Sequence, residues 1–500
     1  MTRLSRIVVL ASLLCSGCAI GPKYQAPTPP TPPVAFKELA GNDQWKMAAP
    51  SDGLLKGKWW EIFGDPQLNR LEELVNVNNQ NVKQAEAQFR QARAVVAANR
   101  ANYYPTIGST PAVTQTYVGS NAGRGTGALS SSFSLPVTAT WEPDLWGRVR
   151  LSVENAVSNA QVSAADLENI RLSQQALLAT DYFLLAAQDM QIKVLSDTIA
   201  AYEKNLQLTI NRYNGGVASK SDITLAQTQL AGAKAQSTDM HIARAEDEHA
   251  IAMLTGQPPA SLDIGTSTIA GPPPPIPMEL PSQLLERRPD IAASERQVAA
   301  ANANVGIAET AYYPTLTLSA SPGLLSNSLA TLFAYASRTF SAGPSLSQTL
   351  FDFGRRGAAL EGAEAAYDAT VAGYRQTVLG AFQEVEDDLA NLRYLAEEAG
   401  QEQEAVVASQ QALDLEILRY RAGTDSYLNV ITTQTIALGD QQTAITILQR
   451  RMTAAVDLVK ALGGGWDAST LPSVNVLRSV SLADPKSMQK GVAGEPKPGN

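Results

Sequence analysis

The chain carries the tetrapeptide Tyr-Tyr-Pro-Thr twice, beginning at Tyr103 and again at Tyr312. The two copies lie 312 − 103 = 209 residues apart, whereas the units of solenoid proteins are roughly 20–50 residues long. A separation of this size indicates duplication of a domain-sized block. The 500 residues are therefore interpreted as two halves that should fold alike.

Each copy is followed by stretches in which apolar and hydroxyl side chains alternate. Residues 315–321 read Thr-Leu-Thr-Leu-Ser-Ala-Ser, and the alternation returns at 340–347. In the first half it covers 133–141, while 107–117 alternates less regularly and is assigned to a strand by analogy with its counterpart. A period of two predicts β-strands with two chemically different faces.

Such faces suit a soluble sandwich, but also a transmembrane barrel, whose strands of about 10 residues turn apolar side chains to lipid and polar ones to the lumen. Aromatic residues at the strand ends, as in an interfacial belt, favour the barrel: Tyr103, Tyr104, Trp141, Tyr312 and Tyr313. The lipid-facing residues are then Leu135, Val137, Leu316 and Leu318, and the pore-lining residues Ser134, Thr138, Thr315 and Thr317. Bacterial barrels begin at about eight strands, so a four-stranded contribution must be shared between subunits.

Most of the remaining sequence is predicted to be helical. From Leu178 to Leu206 apolar residues recur every seven positions, and the same stripe returns from Val385 to Leu413. Sustained heptads predict coiled-coil pairing of long helices. If 150–212 is helical throughout, it extends roughly 95 Å at about 1.5 Å per residue.

Matched turns end the two long helical patterns. The first reads Arg-Tyr-Asn-Gly-Gly at 212–216 and the second Arg-Tyr-Arg-Ala-Gly at 419–423. Their glycines suit the left-handed residue just beyond a helix end. The returning helices are predicted to begin near Ser221-Asp222 and near Ser426, both good N-caps.

The N-terminus has the pattern of an export signal. A basic start and a short apolar core at 7–14 form a segment too short to span a bilayer. The small residues before Cys18 resemble a bacterial lipobox, which predicts removal of 1–17 and a diacylglycerol and fatty acyl (palmitate) anchor on Cys18. Because Cys15 takes the position usually held by leucine, cleavage that leaves a free Cys18 is the alternative. Ala19, in place of aspartate, points to the outer membrane.

Proline-rich stretches and the duplicated motifs divide the chain into six segments. These are a signal peptide at 1–17, an extended Pro-rich segment at 18–58, a first repeat at 59–269 with its hairpin at about 103–146, a Pro-rich linker at 270–281, a second repeat at 282–466 with its hairpin at about 312–353, and a flexible tail at 467–500.

Nothing in the sequence predicts an enzyme. A net charge of −9 gives no basic surface for nucleic acid. His241 and His249, the only histidines, are expected to face solvent on a helix. The glycines at 463–465 precede Trp466 rather than Lys and Ser/Thr, so they form no phosphate loop. Both cysteines lie at the N-terminus, which leaves no disulfide and no cysteine metal site in the mature chain; we expect no metal and no cofactor.

Several motifs together resemble the TolC-like outer membrane factors of tripartite efflux pumps, in particular the lipoprotein (NodT-type) branch that serves resistance-nodulation-division pumps. The resemblance rests on Gly21-Pro-Lys-Tyr24, Trp59-Trp60, Phe63-Gly-Asp-Pro66, the stretch 141–150, Glu286-Arg-Arg-Pro-Asp-Ile291, the two Arg-Tyr turns and the stretch 461–466. It implies a trimeric α+β membrane protein with a shared 12-stranded transmembrane β-barrel, four strands per chain, that continues into a long periplasmic α-helical barrel.

The resemblance also implies a function. The homotrimer would be a passive export duct in the outer membrane of a Gram-negative bacterium, supplied by an inner-membrane pump through a periplasmic adaptor. The adaptor-docking tips would be Gly216, Val217, Ala218, Ala422, Gly423 and Thr424. The periplasmic gate would be formed by Leu428, Asp425, Thr432, Tyr420, Arg421, Arg212 and Tyr213. Many relatives carry an aspartate in the run 431–434, where this chain reads Ile-Thr-Thr-Gln, so an acidic ring would depend on Asp425.

Other classes of protein stay open at this stage. A trimeric adhesin also pools four strands per subunit, but its strands are consecutive at the C-terminus. A periplasmic structural lipoprotein with soluble sheets leaves the apolar strand faces unexplained. Within the favoured class, an ABC transporter is the alternative pump, and the exported substrate is not specified by the sequence.

Overall fold

The computed structural model describes residues 20–33, 35–39, 57–119, 128–276 and 284–479. The helices are α1 Pro66–Asn78, α2 Gln80–Ala101, α3 Arg148–Asn214, α4 Lys220–Leu254, α5 Leu284–Arg287, α6 Pro289–Thr310, α7 Arg355–Ala422, α8 Tyr427–Ala461 and α9 Val474–Arg478. The strands are β1 Thr106–Ser109, β2 Ala112–Val118, β3 Ala128–Trp141, β4 Thr315–Ser326 and β5 Arg338–Ser347. No helix within these ranges is long and apolar enough to cross a membrane.

The helices of the two halves match in order and length. α2 and α6 each contain 22 residues, α3 and α7 contain 67 and 68, and α4 and α8 contain 35 each. At about 1.5 Å per residue, α3 and α7 are roughly 100 Å long. The helix predicted over 150–212 is confirmed and is longer at both ends.

An aspartate caps the start of each long helix. Asp144 accepts hydrogen bonds from the backbone N–H groups of Val149 and Arg150, both at 2.9 Å. Asp352 accepts from the N–H groups of Gly354 and Arg356, at 3.2 and 3.3 Å. A carboxylate at a helix N-terminus satisfies free donors and interacts favourably with the helix dipole. Each aspartate lies just before a Trp/Phe-Gly-Arg sequence, at 146–148 and at 353–355, and this duplicated motif marks the point where each hairpin leads into a long helix.

The main hydrophobic core lies midway along the long helices and joins the two halves. Leu178 and Leu185 of α3 and Val385 of α7 are fully buried in it, as the heptad stripe predicts. Trp59 and Trp60, just before α1, pack edge to face with ring centroids 5.9 Å apart. Aromatic pairs in this geometry stabilise a core beyond the area that they bury.

The strands form one antiparallel sheet in the order β1-β3-β4-β5, with β2 also paired to β3. β1 and β2 together act as one interrupted strand along β3. The halves meet at the pair β3–β4, where Trp141 lies opposite Leu318. Within the described residues, the outer edges of β1/β2 and β5 have no strand partner. Unpaired edges are templates for a further strand.

The register separates the two faces of the sheet. Leu316 pairs with Leu346, whereas Thr317 pairs with Ser345. Cross-strand partners point to the same side of a sheet. The register confirms that the strands have two chemically different faces: Leu135, Val137, Leu316 and Leu318 share one face, and Ser134, Thr138, Thr315 and Thr317 share the other.

An N-terminal arm, residues 20–33 and 35–39, runs along the helices of the second half. Gly21 lies so close to Gly306 of α6 that a Cβ on Gly21 would come within 3.1 Å of the Gly306 Cα. The Asn302 Nδ2 group donates a hydrogen bond to the Pro22 carbonyl at 3.1 Å. Farther along, Phe36 is buried in the main core. The arm is therefore tied to the helices from the sheet end to the middle of the molecule.

The C-terminal segment corrects one prediction. The sequence predicts a flexible tail from residue 467 onward, whereas in the structure 468–470 form a short 3-10 helix and α9 follows. Leu477 of α9 is 1% exposed and packs in a core formed by α2 and α3. The Gln161 Nε2 group donates to the Pro472 carbonyl at 3.0 Å. The few apolar residues of this stretch give no clear period in the sequence, although the burial of Leu477 holds the segment against α2 and α3.

Candidate functional site

Two helix turns lie at the end of the molecule farthest from the sheet. The first joins α3 to α4: Gly216 takes a left-handed φ of 73°, and the Val217 N–H donates to the Arg212 carbonyl at 2.9 Å. α4 begins two residues earlier than predicted, because its N-cap is Ser219 rather than Ser221. Ser219 and Asp222 form a reciprocal capping box, which satisfies two free donors of the first turn.

The second turn joins α7 to α8. Gly423 takes a left-handed φ of 78°, and its N–H donates to the Tyr420 carbonyl at 3.0 Å. Ser426 is the N-cap residue as predicted, but its side chain makes no capping hydrogen bond. Asp425 takes that role in part, since its carboxylate accepts from the Ser426 N–H at 2.8 Å and from the Asn429 Nδ2 group at 2.6 Å.

Arg212 connects the two turns within one chain. Its Nη1 group donates to the carbonyls of Tyr420, at 2.5 Å, and Arg421, at 3.2 Å. The guanidinium also lies over the Tyr420 ring, 4.4 Å from its centroid. A cation at the last carbonyls of α7 interacts favourably with the negative end of that helix. Arg212 thus holds the end of α3 against the end of α7.

Tyr420 is buried between the two turns. It is 4% exposed, and its ring centroid lies 5.2 Å from that of Tyr427. Its hydroxyl lies 3.3 Å from the Thr209 Oγ1 atom. Ala226 and Val430 complete this small core. Of the predicted gate residues, Arg212 and Tyr420 therefore act on each other inside the chain.

A charged cluster surrounds Asp425. The Arg419 guanidinium pairs with Asp425 at 3.1 Å and with Glu416 at 3.4 Å. Glu416 is 7% exposed. The pKa of its carboxyl is raised first by burial, and then by the hydrogen bond with Asp425 and by the negative charge of Asp425. The hydrogen bond from the Ser426 N–H lowers the pKa of Asp425. Sequence reasoning missed Glu416, although its spacing of three from Arg419 was a usable signal.

The remaining predicted gate residues lie on the outside of the chain. Leu428 is 58% exposed and Tyr213 is 42% exposed, and Arg421 and Thr432 are exposed as well. The sequence predicts that Arg419, Arg421 and Asp425 carry charges able to pair between neighbouring helices. In the structure Arg419 and Asp425 pair with each other within one chain, whereas Arg421 has no carboxylate partner among the described residues.

The predicted docking tips are the outermost residues of the two turns. All are exposed except Ala218, which is half-buried; the exposed residues are Gly216, Val217, Ala422, Gly423 and Thr424. His241 and His249 face solvent on α4. No group of three or more His, Cys, Asp or Glu residues in the described ranges could hold a metal ion. Cys18 lies outside the described residues.

Each half of the chain thus contributes two strands, with β1 and β2 counted as one interrupted strand, and one pair of long helices. The sequence profile of the outer membrane efflux protein family matches twice, over residues 72–257 and 280–464. The chain belongs to the outer membrane efflux protein family. The two matches cover the two halves, one after the other.

Individual relatives agree with this outer membrane efflux protein assignment. The chain is 30% identical over 473 residues to the antibiotic efflux pump outer membrane protein ArpC of Pseudomonas putida, covering 94% of this chain and 97% of ArpC. It shows the same identity and coverage with the toluene efflux pump outer membrane protein TtgC of Pseudomonas putida. Among solved structures, the outer-membrane channel OprN is similar with a TM-score of 0.81 and 28% identity, covering 90% of this chain and 100% of OprN.

Membership of this family gives the cellular location of the chain. The chain is an outer membrane efflux channel component of a Gram-negative bacterium, and its long helices form a periplasmic domain. Outer membrane proteins of this kind work with an adaptor and an inner-membrane pump. The two turns are therefore at the periplasmic end.

Proposed function

We propose that three copies of this chain form a closed, passive duct. Four strands from each copy would close a 12-stranded barrel in the outer membrane, and the paired helices would continue it through the periplasm. The supporting observation is the sheet itself, which has one apolar face, one hydroxyl face and, within the part of the chain that the structure describes, two edges without a strand partner. Pairing of β5 with β1/β2 of the next copy satisfies the edge donors and acceptors that would otherwise stay unpaired in lipid. The chain does no chemistry in this role.

The anchor at Cys18 is part of the proposal. Gly21 packs on Gly306, one turn before the end of α6 and a few residues before β4. Three residues separate Cys18 from Gly21, a reach of about 10 Å at roughly 3.3–3.6 Å per residue. An acyl chain on Cys18 would therefore be within reach of the level where the sheet begins. A mass spectrum of the mature N-terminus tests this, and an unmodified cysteine would refute it.

The turns at the periplasmic end are proposed to meet the adaptor and to carry the gate. Leu428, Thr432 and the 51%-exposed Ile436 recur at four-residue spacing and form an exposed stripe on α8. Around a threefold axis, three such stripes would meet as an apolar constriction. The contact between Arg212 and Tyr420 would keep the two turns of each chain in the closed arrangement.

We propose that a resistance-nodulation-division pump supplies the duct with its cargo. The named relatives ArpC and TtgC serve antibiotic and toluene efflux, so small apolar compounds are the proposed cargo. An ABC-type partner is the second candidate. A deletion strain should become more susceptible to antibiotics and toluene, and crosslinkers placed at Val217 and Thr424 should capture an adaptor. Unchanged susceptibility across the panel would contradict the export role.

A further inference from the structure

Arg338, the first residue of β5, is a cation in a region without acidic residues. The stretches 103–141 and 312–351, which contain the strands and their hairpin loops, include Arg124 and Arg338 and no Asp or Glu. Arg124 lies outside the described residues. Neighbouring copies share the same sequence, so their strands and loops cannot supply a carboxylate to Arg338 either. An anion for this guanidinium has to come from outside the protein.

The register puts Arg338 on the apolar face of the sheet. It lies opposite Leu324, and two residues farther along Phe340 lies opposite Pro322. Residues two apart on a strand share a face. Arg338 is therefore on the same side as Leu316 and the other residues assigned to lipid, not on the hydroxyl side. Phe340 is 74% exposed.

Its height along the sheet corresponds to the outer membrane surface. Eleven residues separate Tyr313, at the periplasmic end, from Leu324, which is a distance of roughly 36 Å at about 3.3 Å per residue. A strand tilt of about 40° reduces this to about 28 Å along the barrel axis, whereas the apolar band of such barrels is about 25 Å tall. Arg338 thus lies at the level of the outer headgroups and not at the midplane.

The β4–β5 loop holds an aromatic ring against the guanidinium. The Ser337 hydroxyl donates to the Thr331 carbonyl at 2.7 Å, and the Thr331 hydroxyl lies 2.7 Å from that of Ser326. These contacts fold the loop on itself. The Arg338 guanidinium lies 4.5 Å from the centroid of the Tyr335 ring. A cation–π contact restrains the side chain while its N–H donors stay available for an anion.

We infer that Arg338, supported by Tyr335, binds a phosphate on the sugar headgroup of the outer-leaflet glycolipid, lipid A. Arginine is well suited to phosphate because two N–H groups can donate in parallel. The exposed ring of Phe340, on the same face and two residues nearer the membrane midplane, offers apolar surface to the acyl chains of the same lipid. The inference rests on the proposed function, because it requires the apolar face to lie in the outer membrane.

The test measures lipid binding by purified trimers in detergent with native mass spectrometry. The probes are bisphosphorylated lipid A, lipid A without its phosphates, phosphatidylglycerol, and inorganic phosphate as a competitor. We expect wild type to retain bisphosphorylated lipid A, and Arg338→Gln to bind it roughly tenfold more weakly, as loss of a charge-assisted hydrogen bond implies. Arg338→Lys should fall between them. Arg90→Gln, which changes an exposed arginine of α2, is the matched control and should bind like wild type.

Several outcomes would overturn the inference. Equal lipid A binding by wild type and Arg338→Gln would remove Arg338 from the site. Equal affinity for phosphatidylglycerol would indicate a general phospholipid contact, and displacement by inorganic phosphate would indicate a soluble-anion site. Conductance in planar bilayers separates this from the proposed function. If only the inference fails, both proteins still form channels of equal conductance; if the duct itself fails, neither conducts.

Discussion

Glu72 of α1 is a fully buried acid. It is 0% exposed, and neither carboxylate oxygen has a hydrogen-bond partner among the described residues. Burial raises the pKa of the Glu72 carboxyl well above its usual range. Because the folded-state pKa exceeds the unfolded one, the stability linked to this group is fully present below the unfolded pKa. It is lost as the pH rises through the folded pKa.

Replacement of this acid should therefore stabilise the protein at higher pH. Glu72→Leu should raise the free energy of unfolding by about 1–3 kcal/mol at pH 8 and by less at pH 4. Thermal unfolding of the detergent-solubilised protein at the two pH values measures this. The neighbouring Glu73, whose side chain is 58% exposed, provides the control: Glu73→Gln should show no such pH-dependent gain. A pH-independent effect of Glu72→Leu would contradict the assigned protonation.

The contact between Arg212 and Tyr420 is the second residue-scale feature, and it should favour the closed state. Arg212→Gln removes both hydrogen bonds to α7 and the contact with the Tyr420 ring. If these are worth about 1–2 kcal/mol, the ratio of open to closed channels should rise roughly 5–30-fold. Single-channel recording tests this. Lys220→Gln, at an exposed site near the same end, should conduct like wild type; equal conductance for all three proteins would place the gate elsewhere.

At the scale of elements, the chain has two kinds of connection. Coiled-coil helices join through buried stripes such as Leu178 and Leu185. At the same level, single polar contacts also join elements: Arg288 pairs with Asp290 at 2.7 Å and with Glu384 at 2.6 Å, which ties the start of α6 to α7. The sheet differs from both, because hydrogen bonds to a neighbouring copy are expected to complete it.

The two faces of β4 should differ in access to water. Cysteine at Thr317 should react with a membrane-impermeant thiol reagent, whereas cysteine at Leu318, the next residue on the opposite face, should react only after the membrane is dissolved. The reason is that the hydroxyl face lines the pore and the apolar face contacts lipid. Labelling of intact cells followed by gel-shift detection measures it. Equal labelling at both positions would mean that the sheet does not form the wall of a membrane duct.

For the whole molecule, the proposed duct is narrowest at the periplasmic end. Closure there depends on three copies of the α8 stripe that begins at Leu428 meeting around one axis. Exposed ion pairs such as Arg419–Asp425 contribute at most about 1 kcal/mol each. The closed state is therefore expected to be only modestly favoured, so that binding of an adaptor with preference for the open state can shift the population.

Disulfide crosslinks between subunits near residue 428 should block export. Cysteine at Leu428 should crosslink neighbouring copies under oxidising conditions and abolish antibiotic efflux, and reduction should restore it. Drug susceptibility with and without a reductant measures the effect. A cysteine at Ile242, 55% exposed on α4, controls for the presence of a thiol. Crosslinked channels that still export would show that the constriction lies elsewhere.

The sequence by itself determined the elements and their duplication. Three features are local sequence patterns: the alternation of apolar and polar residues in the strands, the seven-residue repeat of apolar residues in α3 and α7, and the Arg-Tyr turns. The two repeats arise because each element buries one face. The motifs also sufficed to predict the family. These features depend on residues close in sequence, which is why they were readable without a structure.

Only the tertiary structure decided which distant residues meet. Some of these features join residues far apart in the chain: the pairing of β3 with β4, the contact of Arg212 with Tyr420, and the packing of Leu477. Others depend on the surroundings of one side chain, namely the ion pair of Asp425 and the burial of Glu72. Local periodicity carries no information about them, because a polar residue looks the same in sequence whether its partner is a helix, a loop or water. The physical reason is that burial and pairing are properties of the packed chain and not of the sequence around one residue.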